Sequence, residues 1–191
     1  MAQIVNRIPR YFALLLGVLT WPSTSLAHRL NEYLQATLVT IEPGELRLQI
    51  NLTPGVDVAD QVLALIDRNH DGMISTNEAS AYFELVKRDL LVQLDRRKVA
   101  LKLTASNFPS PTELRTGWGI IQMEFRASVS QLAPGEHSLT LKNRHLPASS
   151  VYLFNAAQPT SGLVHITRQK RNETQSTGEI DFTIAEKGNS S

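Results

Sequence analysis

The chain has 191 residues, with nineteen basic side chains against eighteen acidic ones and no cysteine. That near balance excludes a nucleic-acid surface built on net charge, and the missing cysteines exclude a disulfide framework. There is also no Gly-x-Ser-x-Gly elbow, no His-Glu-x-x-His pair and no phosphate loop, so the sequence argues against an enzyme.

Residues 1–27 read as a secretory signal peptide. Arg7 and Arg10 form its basic start, Tyr11 to Trp21 its apolar core, and Ser25-Leu26-Ala27 a small-residue cleavage site. The apolar core is about half of the ~20 residues that a membrane span requires. Cleavage would remove two basic residues and no acidic one, so a chain from residue 28 carries a net charge of −1 where the whole carries +1. The expected location is therefore periplasmic or secreted. Residues 28–186 suffice for one domain with its own core, followed by a polar tail at 187–191, and no later stretch is apolar enough to span a bilayer.

After the leader the pattern turns to period two. Leu34 to Glu42 reads as a strand, joined through Pro43-Gly44 to a second in which Leu46, Leu48, Ile50 and Leu52 alternate with polar residues. A helix–loop–helix then fills 56–90. Val58, Val62, Leu65 and Ile66 mark one face of its first helix, with Asp57 as N-cap; Ala79, Tyr82, Phe83 and Val86 mark the second.

Between these helices, Asp67-Arg-Asn-His-Asp-Gly-Met-Ile-Ser-Thr-Asn-Glu78 matches a twelve-residue EF-hand calcium loop. Asp67, Asn69 and Asp71 supply short oxygen-bearing side chains at positions one, three and five. Gly72 takes the sharp bend at six, Met73 offers its carbonyl at seven, Ser75 stands at nine, and Glu78 has the reach for bidentate coordination at twelve. The expected ligands are thus Asp67, Asn69, Asp71, Met73, Ser75 and Glu78, and the expected cofactor is Ca2+. Ser75 and Glu78 also have the spacing of a capping box, a role in which Glu78 would compete with the metal. Ile74, which in a paired EF-hand meets a second loop, must pack elsewhere because the chain has one loop. His70, at position four, is expected in solvent.

Further strands are expected at Leu91 to Asp95 and Val99 to Leu103, a hairpin turning at Arg96-Arg97. Others follow at Ile121 to Val129, His137 to Leu141, Val151 to Phe154, Leu163 to Arg168 and Glu179 to Ile184. About nine short strands with one helical interruption give a mostly β (α+β) class: an antiparallel β-sandwich with the EF-hand inserted between its second and third strands. Trp118, between Gly117 and Gly119, is expected in the core; exposed, it would be a stacking platform. Arg144 and His145, with Arg168, Lys170, Arg171 and Asn172, read as solvated hairpin ends.

Three segments together, Ala27-His-Arg-Leu-Asn-Glu-Tyr-Leu-Gln-Ala-Thr, Leu52-Thr-Pro-Gly-Val and Asn143-Arg-His-Leu-Pro…Ser150-Val-Tyr-Leu, resemble a family of exported bacterial proteins. Some of its members look like extracytoplasmic portions of proteins related to the hydrogenase and urease accessory permeases. The resemblance covers nearly the whole exported chain and implies an envelope or membrane protein as partner, although this chain lacks the transmembrane helices of the membrane-attached members. The residues alone leave a membrane protein, a polysaccharide or another copy of the chain as the partner, and nucleic acid is not one.

The alternative function is copper binding. A mature N-terminal His28 would offer an amine and an imidazole to one ion, with His137, His145 or His165 to complete the site. Mass spectrometry of protein recovered from an exporting host should give His28 as the first residue. An exported chain that keeps Met1 would remove both the periplasmic placement and the copper alternative.

Overall fold

The computed structural model describes residues 31–129 and 132–186. The leader 1–27, His28 and the tail 187–191 lie outside the described residues. Strand β1 (Tyr33–Glu42) alternates buried with half-buried side chains, Leu38 alone being exposed, and the Pro43-Gly44 turn returns it as β2 (Glu45–Pro54), whose Leu46, Leu48, Ile50 and Leu52 all point into the core. Helices α1 (Val56–Ile66) and α2 (Thr76–Asp89) follow, so a helix–loop–helix lies between the second and third strands.

The remaining elements are β3 (Leu90–Leu94), β4 (Arg97–Lys98), β5 (Lys102–Asn107), α3 (Pro111–Arg115), β6 (Ile121–Ser128), β7 (Gly135–Asn143), β8 (Ser150–Ala156), β9 (Val164–Arg171) and β10 (Thr177–Ile184). They form two five-stranded sheets, ordered β5-β6-β2-β1-β8 and β4-β3-β7-β10-β9. Side chains of both sheets and of all three helices join one apolar cluster, which makes the fold a mostly β sandwich. Among the described residues no helix is long and apolar enough to cross a membrane.

Several details depart from the sequence reading. The two sheets are not wholly antiparallel, because β1 runs parallel to β8, from Tyr33 opposite Ser150 to Val39 opposite Ala156. The hairpin after α2 turns at Asp95-Arg96, both with positive φ, the backbone that a two-residue turn between twisted strands requires. Val99 to Leu103 is not one strand. The chain leaves the second sheet after β4 and crosses to the first, keeping Val99 and Leu101 against the core, and pairing resumes only at Lys102. Alternating apolar residues read alike in a strand and in such a crossover.

The helices differ too. Gly55, not Asp57, is the N-cap of α1; Asp57 lies in the first turn, where its charge complements the helix dipole. Leu65 faces solvent while Val58, Val62 and Ile66 are buried. Helix α3 was not expected, although Ser110-Pro-Thr-Glu113 carries its signature: Ser110 and Glu113 close a capping box with proline in the first turn. Trp118 is 86% exposed rather than core. Gly117, at φ +74, and Gly119, where a Cβ would strike the Leu114 and Glu113 backbone, set the turn that holds it out.

The two sheets approach most closely where β10 meets β8. A Cβ on Gly178 would fall within the Phe154 ring, itself buried. Gly178→Ala should therefore cost about 1–3 kcal/mol by overpacking. A urea midpoint unchanged from wild type would show that the Phe154 ring can step aside freely.

Candidate metal centre

The loop between α1 and α2 is organised by its own side chains. The Asp67 carboxylate, only 7% exposed, accepts the Asp71 amide at 3.2 Å and the Gly72 amide at 3.0 Å, which folds the chain back on itself. Asn69 Oδ1 accepts the Asp71 amide at 3.1 Å, its Nδ2 donates to Asp71 Oδ2 at 2.8 Å, and Asp71 Oδ1 accepts the Met73 amide at 2.8 Å. His70 has φ +58 and Gly72 φ +78, with open space where a glycine Cβ would be. Such local side-chain-to-backbone bonds suit Asp and Asn, whose short side chains here reach amides two to five residues on.

Glu78 closes the loop. Its Oε1 accepts the Arg68 amide at 2.9 Å and the Asn69 amide at 3.4 Å; its Oε2 accepts the Ser75 amide at 3.0 Å and hydroxyl at 2.7 Å. With Ser75 Oγ accepting the Glu78 amide, this is the capping box anticipated for α2. The Ser75 hydroxyl and amide, then the Asn69 and Arg68 amides, hold the Glu78 carboxyl down at about 2. It is therefore an anion at every ordinary pH, and its capping role is lost only as pH falls toward that value.

All six expected ligands thus lie in one loop, where their carboxylates accept from backbone amides and from the side chains of Asn69 and Ser75. Among the described residues no three His, Cys, Asp or Glu side chains are gathered as a group that could hold a metal ion. Ile74 is half-buried against the core, which answers where a lone loop sends its position-eight residue. Met73 and His70 are exposed.

A second polar cluster was not legible as a site. His145, expected in solvent, is 1% exposed. Its Nε2 lies 3.0 Å from the Tyr82 hydroxyl and its Nδ1 2.8 Å from Asp89 Oδ2, so α2 grips it twice. The Tyr82 hydroxyl also meets that of Tyr33 at 2.7 Å. The His145 carbonyl accepts from Gln35 Nε2, Ser150 Oγ and Tyr152 Oη, and its amide donates to Asn143 Oδ1, while Asn143 Nδ2 donates to Gln35 Oε1. These residues belong to the first and third segments that carried the family resemblance. Arg168 and Arg171, read with His145 as solvated hairpin ends, are engaged elsewhere: Arg168 pairs with Asp181 and Glu179, and Arg171 donates to the Phe154 carbonyl.

For the copper alternative, His28 is outside the described residues. Both ring nitrogens of His145 are engaged as above, and those of His137 meet Asp95 and the Ala133 carbonyl at 2.8 Å each. His165 is exposed on β9. Compared with protein-family models and with curated proteins, the chain matches none.

Burial pushes the His145 imidazole below its ordinary value, against the pull of Asp89, so it is neutral: Nδ1–H donates to Asp89 and Nε2 accepts from Tyr82. Its contribution to stability is fully present above about pH 6.5 and declines as pH falls below that. His137 has the opposite sign. Against partial burial, the Ala133 carbonyl and Asp95 raise it, so its contribution is present at low pH and lost as pH rises through its folded value. Urea midpoints of wild type alone report the difference of the two, and single variants separate them. His145→Gln should cost about 1–3 kcal/mol at pH 7.5, and its gap from wild type should narrow at pH 5.5. A gap that does not change with pH would remove the linked proton from His145.

Proposed function

We propose that this chain is an exported calcium-binding interaction module, in which the ion locks the 67–78 loop of a single EF-hand inserted in a β-sandwich. The observation that carries the reading is the donor set. Six hard-oxygen positions, three of them carboxylates, occupy one twelve-residue turn between two helices. The side chains of Asp67, Asn69, Asp71, Ser75 and Glu78 and the Met73 carbonyl would hold the ion. Calcium would supply a concentrated positive charge for carboxylates that otherwise rely on backbone amides. The loop geometry supports this as well: Gly72 takes the positive-φ bend, with its amide donating to Asp67, at the position where a calcium loop turns.

Calcium has to draw Glu78 from its four hydrogen bonds, and that competition keeps affinity modest. Extracellular modules of this kind bind with Kd of about 10⁻⁴–10⁻³ M. At about 1 mM calcium the linkage relation gives ~0.4–1.4 kcal/mol of stabilisation. A structural lock fits that range better than a switch, since the loop has no partner loop with which to cooperate. The partner is an envelope or membrane protein, or a polysaccharide, and the module has no catalytic role.

Glu78→Gln tests the metal. Wild type should melt higher in calcium than in chelator by a degree or a few, from the linkage magnitude above. The variant should show no calcium increment while magnesium leaves both unchanged. If wild type and variant respond alike, the loop is not a calcium site.

A further inference from the structure

The outer face of the first sheet carries a feature that folding does not require. Two neighbouring rungs cross all five strands. One runs Asn107, Gln122, Asn51, Ala36, Leu153, and the next Ala105, Glu124, Gln49, Leu38, Asn155. Together they line a groove of about 460 Å³. The side-chain amides of Gln49, Asn51, Asn107 and Gln122 have no hydrogen-bond partner among the described residues. The opposite flank is apolar, with Leu38 and Leu153 both exposed.

Charge decides what this groove suits. No Lys or Arg lines it, and its one acid, Glu124, is held by Arg126 at 2.8 Å. Beside it, Glu45 pairs with Arg47 at 3.2 Å and with Arg126 at 3.4 Å, and Lys102 stands on the same neighbouring rung as these arginines. Within the groove itself a polyanion finds no cation, and a basic segment finds no unpaired acid. Free amides donate and accept at once, which is what a hydroxyl-rich neutral ligand needs, and the leucines offer a surface for the C–H faces of a sugar ring. Strands are spaced about 4.8 Å apart, close to the repeat of a β-1,4-linked pyranose chain, so such a chain laid along the rungs meets one strand per sugar.

We infer that this face binds a neutral β-1,4-linked glycan, with Asn51, Gln122, Gln49 and Asn107 taking its hydroxyls and Leu38 and Leu153 its apolar ring faces. The inference rests on the reading of the chain as an interaction module and is independent of calcium.

The test is an NMR titration of the full chain with three hexamers: β-1,4-linked glucose, β-1,4-linked N-acetylglucosamine and, as an anionic control, β-1,4-linked mannuronate. At least one neutral hexamer should bind saturably and shift the side-chain amides of Gln49, Asn51, Asn107 and Gln122, and mannuronate should bind at least tenfold more weakly. Asn51→Leu/Gln122→Leu, with its thermal midpoint and calcium increment as checks of folding, should weaken neutral binding tenfold or more. The inference is overturned if neither neutral hexamer binds, if mannuronate binds as well, or if the folded double variant binds like wild type. Glycan binding that survives in Glu78→Gln while the calcium increment is absent from wild type would sink the metal reading alone; a calcium increment without glycan binding would sink this one alone.

Discussion

His145 is a polar ring sealed between a helix and a sheet, and its burial costs free energy unless every one of its polar atoms is satisfied. Satisfaction comes from separate parts of the chain at once: Tyr82 and Asp89 at the two ends of the last turns of α2, Gln35 on β1, Asn143 at the end of β7, and Ser150 and Tyr152 on β8. A helix packed on a sheet by apolar contacts alone can slide or rotate with little loss, because dispersion is not directional. Hydrogen bonds to one sealed ring cannot follow such a movement. The network thus fixes the placement of the helical insertion on the sandwich that satisfies His145 and the buried groups around it, and the rest of the fold is built around that placement.

This constraint bears on the loop because Glu78 and Tyr82 are one turn apart on α2. The carboxylate that closes the 67–78 loop and the hydroxyl that reaches His145 belong to the same rigid segment. The other end of the loop is tied down as well, by the burial of Ile66 and Asp67. Under the calcium reading, an ion would act between two helices that are already anchored. It would tighten a loop without repacking the helices, and a large opening would have to break the Tyr82 to His145 bond. That is the physical reason to treat the insertion as a locked structural element.

How far the sequence disclosed this depended on whether the signal was local. The alternation of Leu46, Leu48, Ile50 and Leu52 named β2 because a sheet has period two, and the Ser75 to Glu78 spacing named the start of α2 because a cap is satisfied within four residues. The loop residues were legible for the same reason. The parallel pairing of β1 with β8 was not, since its register joins residues more than a hundred positions apart. Nor was the role of His145, whose two ring partners, Tyr82 and Asp89, are more than fifty residues away. Tyr33, Gln35, Asn143 and His145 stood out only within segments that resembled a family, with no chemistry visible in their spacing. Trp118 misled because bulk favours burial on average, and only the two constrained glycines beside it could have said otherwise.

The first sheet presents the two kinds of requirement on opposite faces. Inward positions of β2 and β6 are fixed by the core, and Leu48, Ile50, Met123 and Phe125 leave no room for other classes of side chain. Outward positions on the same strands meet water and are free to vary, so their composition answers to solubility or to a ligand. Solubility alone favours charge, and the neighbouring rungs follow that rule with Glu45, Arg47 and Arg126. The rungs through Asn51 and Gln49 depart from it, with Glu124 as their one charge, two leucines, and the amides of Gln49, Asn51, Asn107 and Gln122 without a partner among the described residues. Folding does not ask for that pattern and solubility does not reward it. A neutral, hydroxyl-rich ligand laid across the strands accounts for both the amides and the leucines.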